Sequence, residues 1–204
     1  MTKLVLATRN VHKVVELRRI LGEAGLDGVE LVGVEAFPGV DDVLETGVTF
    51  VENARLKAVA VARATGVAAI ADDSGLCVDV LGGAPGVFRA RWAGRHGDDL
   101  ANLRLLLDQL SDVPDGHRGA HFACSAVLAL PGGTERVVEG RLTGTLIRRP
   151  RGTNGFGYDP VFVPDGETRT AAELTAAEKD SISHLGRAFR AIVPAVRELL
   201  DART

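Results

Sequence analysis

Short apolar runs and segments with helical spacing take turns along almost the whole chain, and this interleaving limits the fold more than any other feature. Short continuous apolar runs are typical of buried strands, whereas apolar residues three and four apart are typical of a helix with one buried face. The alternation is not strict, so the pattern predicts an α/β fold with a mixed twisted sheet flanked by helices. The predicted strands are Lys3–Ala7, Val29–Val34, Val67–Ala71, Leu76–Leu81, Ala120–Leu130 and Glu135–Ile147, and the predicted helices are Val11–Ala24, Thr49–Ala64, Asp98–Leu110, Ala171–Lys179 and Ile182–Leu200, the last with a kink at Pro194.

Length and charge narrow the class of protein. A chain of 204 residues suits one domain, residues 1–204. A net charge of −3 with 4% aromatic residues argues against nucleic-acid binding, which usually needs a strongly basic face. No apolar run reaches the ~18 residues of a membrane span, and Cys77 and Cys124 lie far apart in apolar runs typical of reduced thiols. We therefore expect a cytoplasmic protein with neither nucleic-acid nor membrane partners.

The segment Thr8–Lys13, between the first strand and the first helix, is a candidate phosphate site. The start of a helix exposes unpaired N–H groups and a partial positive charge, both of which attract phosphate. Lys13 adds a full charge, and Thr8 and Asn10 can donate hydrogen bonds. The glycines of a Walker A loop are absent, and a plain turn with Asn10 as the helix cap is the alternative.

Two adjacent carboxylates, Asp72 and Asp73, follow the third predicted strand and lead into Ser74 and Gly75. Carboxylates at the end of a buried strand are costly unless a cation or hydrogen-bond donors compensate them. Magnesium takes oxygen ligands, usually one or two carboxylates, with phosphates and water completing its shell. A magnesium site is one interpretation, and a turn built from Asp, Ser and Gly is the other.

The second predicted helix offers further polar groups. Glu45 lies shortly before it, and Asn53 and Lys57 are four residues apart on one of its faces. Together they could present an amide and an ammonium group to phosphates. A solvated helix face is the alternative.

A glycine-rich segment, Gly155-Phe156-Gly157-Tyr158-Asp159-Pro160, flanks an aromatic ring with glycines. Glycines let the backbone approach a flat ligand, and Phe156 offers a stacking face, although a glycine-rich turn would look the same. Lys179, Ser183 and His184 surround the start of the last helix, where His184 lies among polar residues.

Taken together and in this order, these segments resemble the inosine triphosphate pyrophosphatase family, which hydrolyses non-standard purine nucleotides. The resemblance covers nearly the whole chain and rests on Thr8-x-Asn10-x-x-Lys13, Glu45-Thr46-Gly47, Phe50-x-Glu52-Asn53-Ala54-x-x-Lys57, Ala71-Asp72-Asp73-Ser74-Gly75-Leu76, Gly82-Gly83-Ala84-Pro85-Gly86-Val87, Gly155–Pro160 and Ser183-His184. It implies two lobes around a central substrate cleft, a homodimer, and hydrolysis of ITP, dITP or XTP to the monophosphate and pyrophosphate.

The resemblance also implies a role for each matching residue. Magnesium would be held by Glu45, Asp72 and Asp73, and Asp73 would also be the general base. The substrate-binding residues would be Thr8, Arg9, Asn10, Val11, His12, Lys13, Asn53, Lys57, Ser74, Phe156, Gly157, Tyr158, Asp159, Lys179, His184 and Leu185. Of these, Thr8–Lys13 and Lys57 would meet the phosphates, and Phe156–Asp159, Lys179 and His184 would meet the base.

One position departs from the family. Many members have arginine directly after the matching histidine, where this chain has Leu185, and Arg187 would point to another side of the helix. Our hypothesis is that base discrimination is looser here, or that another donor such as Arg151 supplies it. A broader-specificity nucleotide pyrophosphatase and an inactive nucleotide-binding module remain alternatives, although the retained acidic residues and Lys57 favour the enzyme.

Overall fold

The computed structural model describes residues 1–201, and most elements in this range lie close to the predicted ones. The strands are β1 (Thr2–Leu6), β2 (Val29–Gly33), β3 (Ala68–Val78), β4 (Gly119–Ala129), β5 (Glu135–Leu146) and β6 (Phe162–Pro164). The helices are α1 (Val11–Glu23), α2 (Phe50–Thr65), α3 (Asp99–Gln109), α4 (Ala176–Ile182) and α5 (His184–Asp201), with Pro194 inside α5. None of these helices has both the length and the apolar content needed to cross a lipid bilayer.

The six strands form one hydrogen-bonded sheet in the order β2-β1-β3-β4-β5-β6. β1 is parallel to both β2 and β3, and β5 is antiparallel to β6. Leu4, Val5 and Leu6 of β1 are fully buried, as expected for a parallel strand with neighbours on both sides. The predicted fold class, an α/β fold with a mixed sheet flanked by helices, is confirmed.

The chain divides into two compact units, each with its own core. Within the described residues, the first unit contains Met1–Asp73, Cys124–Gly140 and residues 186–201, and the second contains Ser74–Ala123 and Arg141–Leu185. In the first unit, small residues of α2 pack against the sheet, and the core includes Val5, Ala54, Ala58, Ala62, Ala69 and Ala71. In the second unit, the core includes Leu76, Leu106, Phe122, Leu146 and Phe162.

Local signals in the sequence explain where several helices begin and end. Thr49 and Glu52 form a reciprocal capping box at the start of α2, and Gly66 ends that helix in the left-handed conformation, with φ of 67°. Asp98 accepts a hydrogen bond from the N–H of Ala101 at the start of α3. These caps satisfy N–H and C=O groups that a helix end would otherwise leave unpaired.

The predicted break after Ala71 is wrong, because β3 continues without interruption to Val78. The turn-forming residues Asp72 to Gly75 therefore lie within a strand, and Leu76–Leu81 is not a separate one. Hydrogen-bond donors from two helices reach the Asp72 and Asp73 carboxylates, and Leu76 and Val78 are buried in the second unit's core. Tertiary partners thus outweigh the local turn preference.

The predicted helix Ala171–Lys179 is also misplaced, since α4 begins at Ala176. Ala171, Ala172 and Leu174 are buried outside any helix, whereas Thr175 caps α4 through a capping box with Glu178. β6 is absent from the prediction because its three residues are too short to produce a periodic signal.

Candidate functional site

Asp72 and Asp73 are consecutive residues of β3, so their side chains leave the strand on opposite faces. Asp72 accepts a hydrogen bond from Nζ of Lys13 in α1 at 2.5 Å, and only 2% of its side chain is exposed. Asp73 accepts one from Nδ2 of Asn53 in α2 at 3.0 Å. The two carboxylates are therefore compensated from two different helices.

A buried thiol lies beside the first of these carboxylates. Sγ of Cys124 is 4.0 Å from Oδ2 of Asp72. Burial, followed by the charge of Asp72, raises the pKa of Cys124 well above its usual value. The thiol is thus protonated at neutral pH. Both cysteines are free thiols, and Cys77 is partly buried.

The loop that carries Glu45 is fastened to the first turns of α2. Nζ of Lys57 donates to Oε1 of Glu45 at 2.6 Å, and the N–H of Gly47 donates to Oδ1 of Asn53 at 2.8 Å. Asn53 is 3% exposed. A side chain at Gly47 would place its Cβ 2.7 Å from Oδ1 of Asn53, so this turn requires glycine. The segment Glu45–Lys57 thus folds as one hydrogen-bonded unit.

A pocket of about 260 Å³ opens within the first unit. Its lining residues are Ala7, Thr8, Arg9, Val34, Asp41, Asp42, Val43, Glu45, Lys57 and Val61. Nε of Arg9 donates to Oδ1 of Asp42 at 2.8 Å, and this hydrogen bond raises the pKa of Arg9. The structure therefore brings together three predicted substrate-binding residues, Thr8, Arg9 and Lys57, with the predicted metal ligand Glu45.

Other members of the phosphate segment have different surroundings. Oδ1 of Asn10 accepts the N–H of His12, so Asn10 is the cap of α1. Val11 and His12 are exposed in the first turn of that helix. The alternative of a helix-capping Asn is therefore observed, and the cap uses the N–H of His12.

The direction of the three carboxylates bears on whether they could hold magnesium together. Within residues 1–201, no group of three or more His, Cys, Asp or Glu side chains is arranged to hold a metal ion. Asp72 and Asp73 point to opposite faces of β3, and Lys13 contacts Asp72. Glu45 and Asp73 are both linked to α2, and two carboxylates are enough when phosphates and water complete the shell. Carboxylate oxygens of this kind are ligands that magnesium takes.

In the second unit, the segment Gly155–Pro160 closes around the buried carboxylate of Asp159. Oδ2 of Asp159 accepts the N–H of Phe156 at 2.9 Å and Nζ of Lys179 at 2.5 Å. Gly155 has φ of 74°, and a Cβ there would collide with the Asp159 carboxylate. The N–H of Gly157 donates to Oδ2 of Asp99 at 3.1 Å. The predicted glycine-rich turn is thus a rigid support for Phe156.

The two aromatic residues of this segment have opposite environments. Phe156 is 66% exposed, and Nζ of Lys179 lies 5.1 Å from the centroid of its ring. Tyr158 is buried, its hydroxyl donates to the carbonyl of Arg89 at 2.9 Å, and burial raises its pKa. Phe156 is therefore available for stacking, whereas Tyr158 supports the fold.

Arg89 and Asp99 belong to this part of the molecule and were not predicted from the sequence. Besides accepting from Tyr158, Arg89 donates through Nε to the backbone carbonyl of Ser74. Arg89 follows the matching Gly82–Val87 block and lies in a short 3₁₀ helix, Gly86–Arg91. The sequence offered one signal for Arg89, a basic residue in a Gly/Pro-rich stretch. That signal could not predict that Arg89 donates to the carbonyl of Ser74.

The predicted base-binding residues at the start of α5, His184 and Leu185, belong to the second unit. His184 stacks on Phe122 with centroids 5.0 Å apart and planes 14° apart, and Ser183 is buried. Leu185 is partly buried, whereas Arg187 is exposed. Nη2 of Arg151 donates to the carbonyl of Thr168 at 2.9 Å and also lies 3.6 Å from Glu173. Arg151 is therefore engaged by the segment that follows β6.

Known proteins and a known family match this chain along nearly its whole length. Residues 4–195 match the Ham1 family. The dITP/XTP pyrophosphatase of Streptomyces avermitilis is 70% identical over 200 residues, which cover 98% of this chain and 100% of that protein. The crystal structure of the Mycobacterium abscessus nucleoside-triphosphatase, a dITP/XTP pyrophosphatase, is 54% identical with a TM-score of 0.81, covering 96% of this chain and 100% of that one. The structure of a HAM1 protein from Coxiella burnetii is 39% identical with a TM-score of 0.89, and the match covers 97% of this chain and 100% of that one.

Proposed function

The chain belongs to the Ham1 family, and from this premise we propose a function: it hydrolyses non-standard purine nucleoside triphosphates, dITP, ITP and XTP, to the monophosphate and pyrophosphate. The observation that carries this conclusion is the unbroken, full-length similarity to proteins named dITP/XTP pyrophosphatase. The earlier resemblance to the inosine triphosphate pyrophosphatase family is thereby confirmed. Removal of such nucleotides from the precursor pool is the biological role that follows.

We propose that the pocket lined by Thr8, Arg9 and Lys57 binds the phosphates. Two cationic side chains, those of Arg9 and Lys57, and the hydroxyl of Thr8 supply the charge and the hydrogen-bond donors that a polyphosphate needs. Arg9 contacts Asp42 and Lys57 contacts Glu45, so bound phosphate would share these cations with the carboxylates. The pocket thus supports binding of a chain of negative charges.

We propose that Asp73 accepts the proton of the attacking water. The water oxygen forms a bond to the α-phosphorus, the bond from that phosphorus to the bridging oxygen breaks, and pyrophosphate leaves with its electron pair. Asp73 holds and takes the proton, and the Asn53 amide orients its carboxylate. Glu45 and Asp73 would hold Mg²⁺, which when bound supplies neutralisation of the developing negative charge. Lys57 adds positive charge beside Glu45.

We propose that the second unit binds the base. The exposed face of Phe156 would stack on a purine, and Lys179 lies over the same ring. Hypoxanthine and xanthine carry a 6-keto acceptor where adenine carries an amino donor, so a donor aimed at this position rejects ATP. Leu185 offers no such donor, which favours looser discrimination in this chain than in members with arginine there.

Product analysis tests the reaction, and one variant tests the base. Incubation with ITP and Mg²⁺ should yield IMP and pyrophosphate, and recovery of IDP and phosphate would contradict the proposed bond cleavage. Asp73→Asn should lower turnover at least ~100-fold and keep nucleotide affinity within about tenfold, because it removes the proton acceptor and keeps a similar shape. Near-normal turnover of this variant would exclude Asp73 as the base.

Metal identity, assembly and location are further parts of the proposal. We propose Mg²⁺ as the cofactor, a homodimer as the assembly and the cytoplasm as the location. Loss of turnover with EDTA and its return with Mg²⁺ would support the first, and light scattering coupled to gel filtration measures the second. A monomeric mass at micromolar concentration would contradict the homodimer.

A further inference from the structure

The amide of Asn53 connects two parts of the proposed catalytic centre. Oδ1 of Asn53 accepts the N–H of Gly47 at 2.8 Å, and Nδ2 donates to Oδ2 of Asp73 at 3.0 Å. A backbone N–H can only donate and an ionised carboxylate can only accept, so these partners fix which end of the amide faces each of them. One buried side chain therefore joins the Glu45 loop to β3.

The position leaves little freedom to the amide. Asn53 is 3% exposed and does not line the pocket of about 260 Å³. A Cβ on Gly47 would come 2.7 Å from Oδ1 and 3.0 Å from the backbone nitrogen of Asn53. One turn further along α2, Lys57 contacts Glu45 at 2.6 Å. The same helical face thus holds the loop at two points, and only the first of them also reaches Asp73.

We propose that Asn53 is a positioning residue, which orients the Asp73 carboxylate and sets the Glu45 loop against it without touching the nucleotide. This inference replaces the expected contact between Asn53 and the substrate, and it rests on the proposed role of Asp73. Asparagine suits the position because it can accept from one partner and donate to the other at the same time. A carboxylate at this position would place two like charges together, and an apolar residue would leave both partners without this hydrogen bond.

The central test is a double-mutant cycle on turnover. Asn53→Ala should lower kcat for ITP by about 10- to 100-fold with KM within about threefold, because a misplaced base slows the chemical step more than binding. In the Asp73→Asn background, the same substitution should lower the residual kcat clearly less than it does in the native background, since the carboxylate that Asn53 orients is already lost and only its hold on the Glu45 loop remains. An equal loss in both backgrounds, or a kcat of Asn53→Ala within threefold of the native value, overturns the proposal.

A matched control separates positioning from general weakening of the helix end. Glu52 lies next to Asn53, and its carboxylate accepts the N–H groups of Val48 and Thr49 in the capping box. Glu52→Ala should lower the melting temperature, as Asn53→Ala should, but keep kcat within about threefold. A loss of kcat in Glu52→Ala as large as in Asn53→Ala would show that the helix cap, and not the amide, is what matters, and would overturn the proposal.

Exchanging the two side chains supplies a readout independent of turnover. In the double variant Asn53→Asp with Asp73→Asn, the new carboxylate can still accept from the N–H of Gly47, and the hydrogen bond between positions 53 and 73 is rebuilt with the donor and acceptor exchanged. Its melting temperature should exceed that of Asn53→Asp alone by several degrees, while turnover stays as low as in Asp73→Asn. No recovery of the melting temperature would contradict the pairing. High turnover of Asp73→Asn itself would instead overturn the proposed base.

Discussion

Replacing Lys179 with methionine should destabilise the segment that supports Phe156. The ammonium group lies 2.5 Å from the Asp159 carboxylate, of which 4% is exposed, whereas 22% of the Lys179 side chain is exposed. Removing one partner of a buried ion pair costs about 3–5 kcal/mol, and the partial hydration of Lys179 favours the lower end, about 3 kcal/mol. For a chain of this length, that predicts a fall in melting temperature of about 6–12 °C.

Differential scanning calorimetry measures this loss, and two variants control it. Lys3→Met removes an exposed ion pair with Glu30, 3.8 Å apart, and should cost less than about 1 kcal/mol. Adding Asp159→Asn to Lys179→Met removes the uncompensated buried charge and should restore at least half of the loss. The reasoning is refuted if Lys179→Met lowers the melting temperature no more than Lys3→Met does, because the contact would then be no stronger than a surface pair.

The remaining predictions address specificity, stability and pH. Leu185→Arg should raise the ratio of kcat/KM for ITP over ATP by about 5- to 150-fold, the range of one hydrogen bond to the base. If the native protein already selects ITP strongly and the substitution leaves that selectivity unchanged, the proposal of looser base discrimination is contradicted. Arg118→Met removes donors to the carbonyls of Leu110 and Leu146, 2.6 and 2.8 Å away. It should lower the free energy of unfolding, measured by urea denaturation, by about 3 kcal/mol. A loss under about 1 kcal/mol would contradict a structural role of these hydrogen bonds. Hydrogen bonds from Thr175 and Arg169 lower the pKa of Glu178 to about 2. Its ionised carboxylate therefore stabilises the fold fully above its unfolded pKa of ~4.3, and this stabilisation is lost as the pH falls through 2. A midpoint near 4.5 in an NMR titration of this carboxyl group would contradict the prediction.

Local chemistry made much of the fold predictable. Helices α1, α2 and α3 begin at residues whose side chains cap them, Asn10, Thr49 and Asp98, and these signals depend only on near neighbours in sequence. The hairpin of β4 and β5 was readable for the same reason, since the N–H of Leu130 pairs with the carbonyl of Thr134 across a glycine turn. The capping box of Thr175 and Glu178 was equally readable and would have placed α4 correctly.

Partners that are distant in sequence were not predictable. Asp72 to Gly75 have the composition of a turn, and the donors that compensate the two carboxylates in a continuous strand, such as Lys13 and Asn53, lie far away in sequence. The motif that contains Asn53 indicated its importance, but its burial and its two partners follow from tertiary packing. Tyr158 shows the same limit, since its place beside Phe156 did not predict that only Phe156 would be exposed.

The two-residue repeat of β3 makes the spacing along this strand as important as the identity of its acids. Inserting or deleting one residue before Asp72 would exchange the helices that the two carboxylates face, although no side chain would be lost. A second compensating change between Asp73 and Leu76 would be needed to return the following core residues to their own side. An insertion of one or three residues in this strand should therefore abolish activity, whereas a conservative substitution would only reduce it. The site thus depends on the alternation of the strand as well as on the identity of its acidic residues.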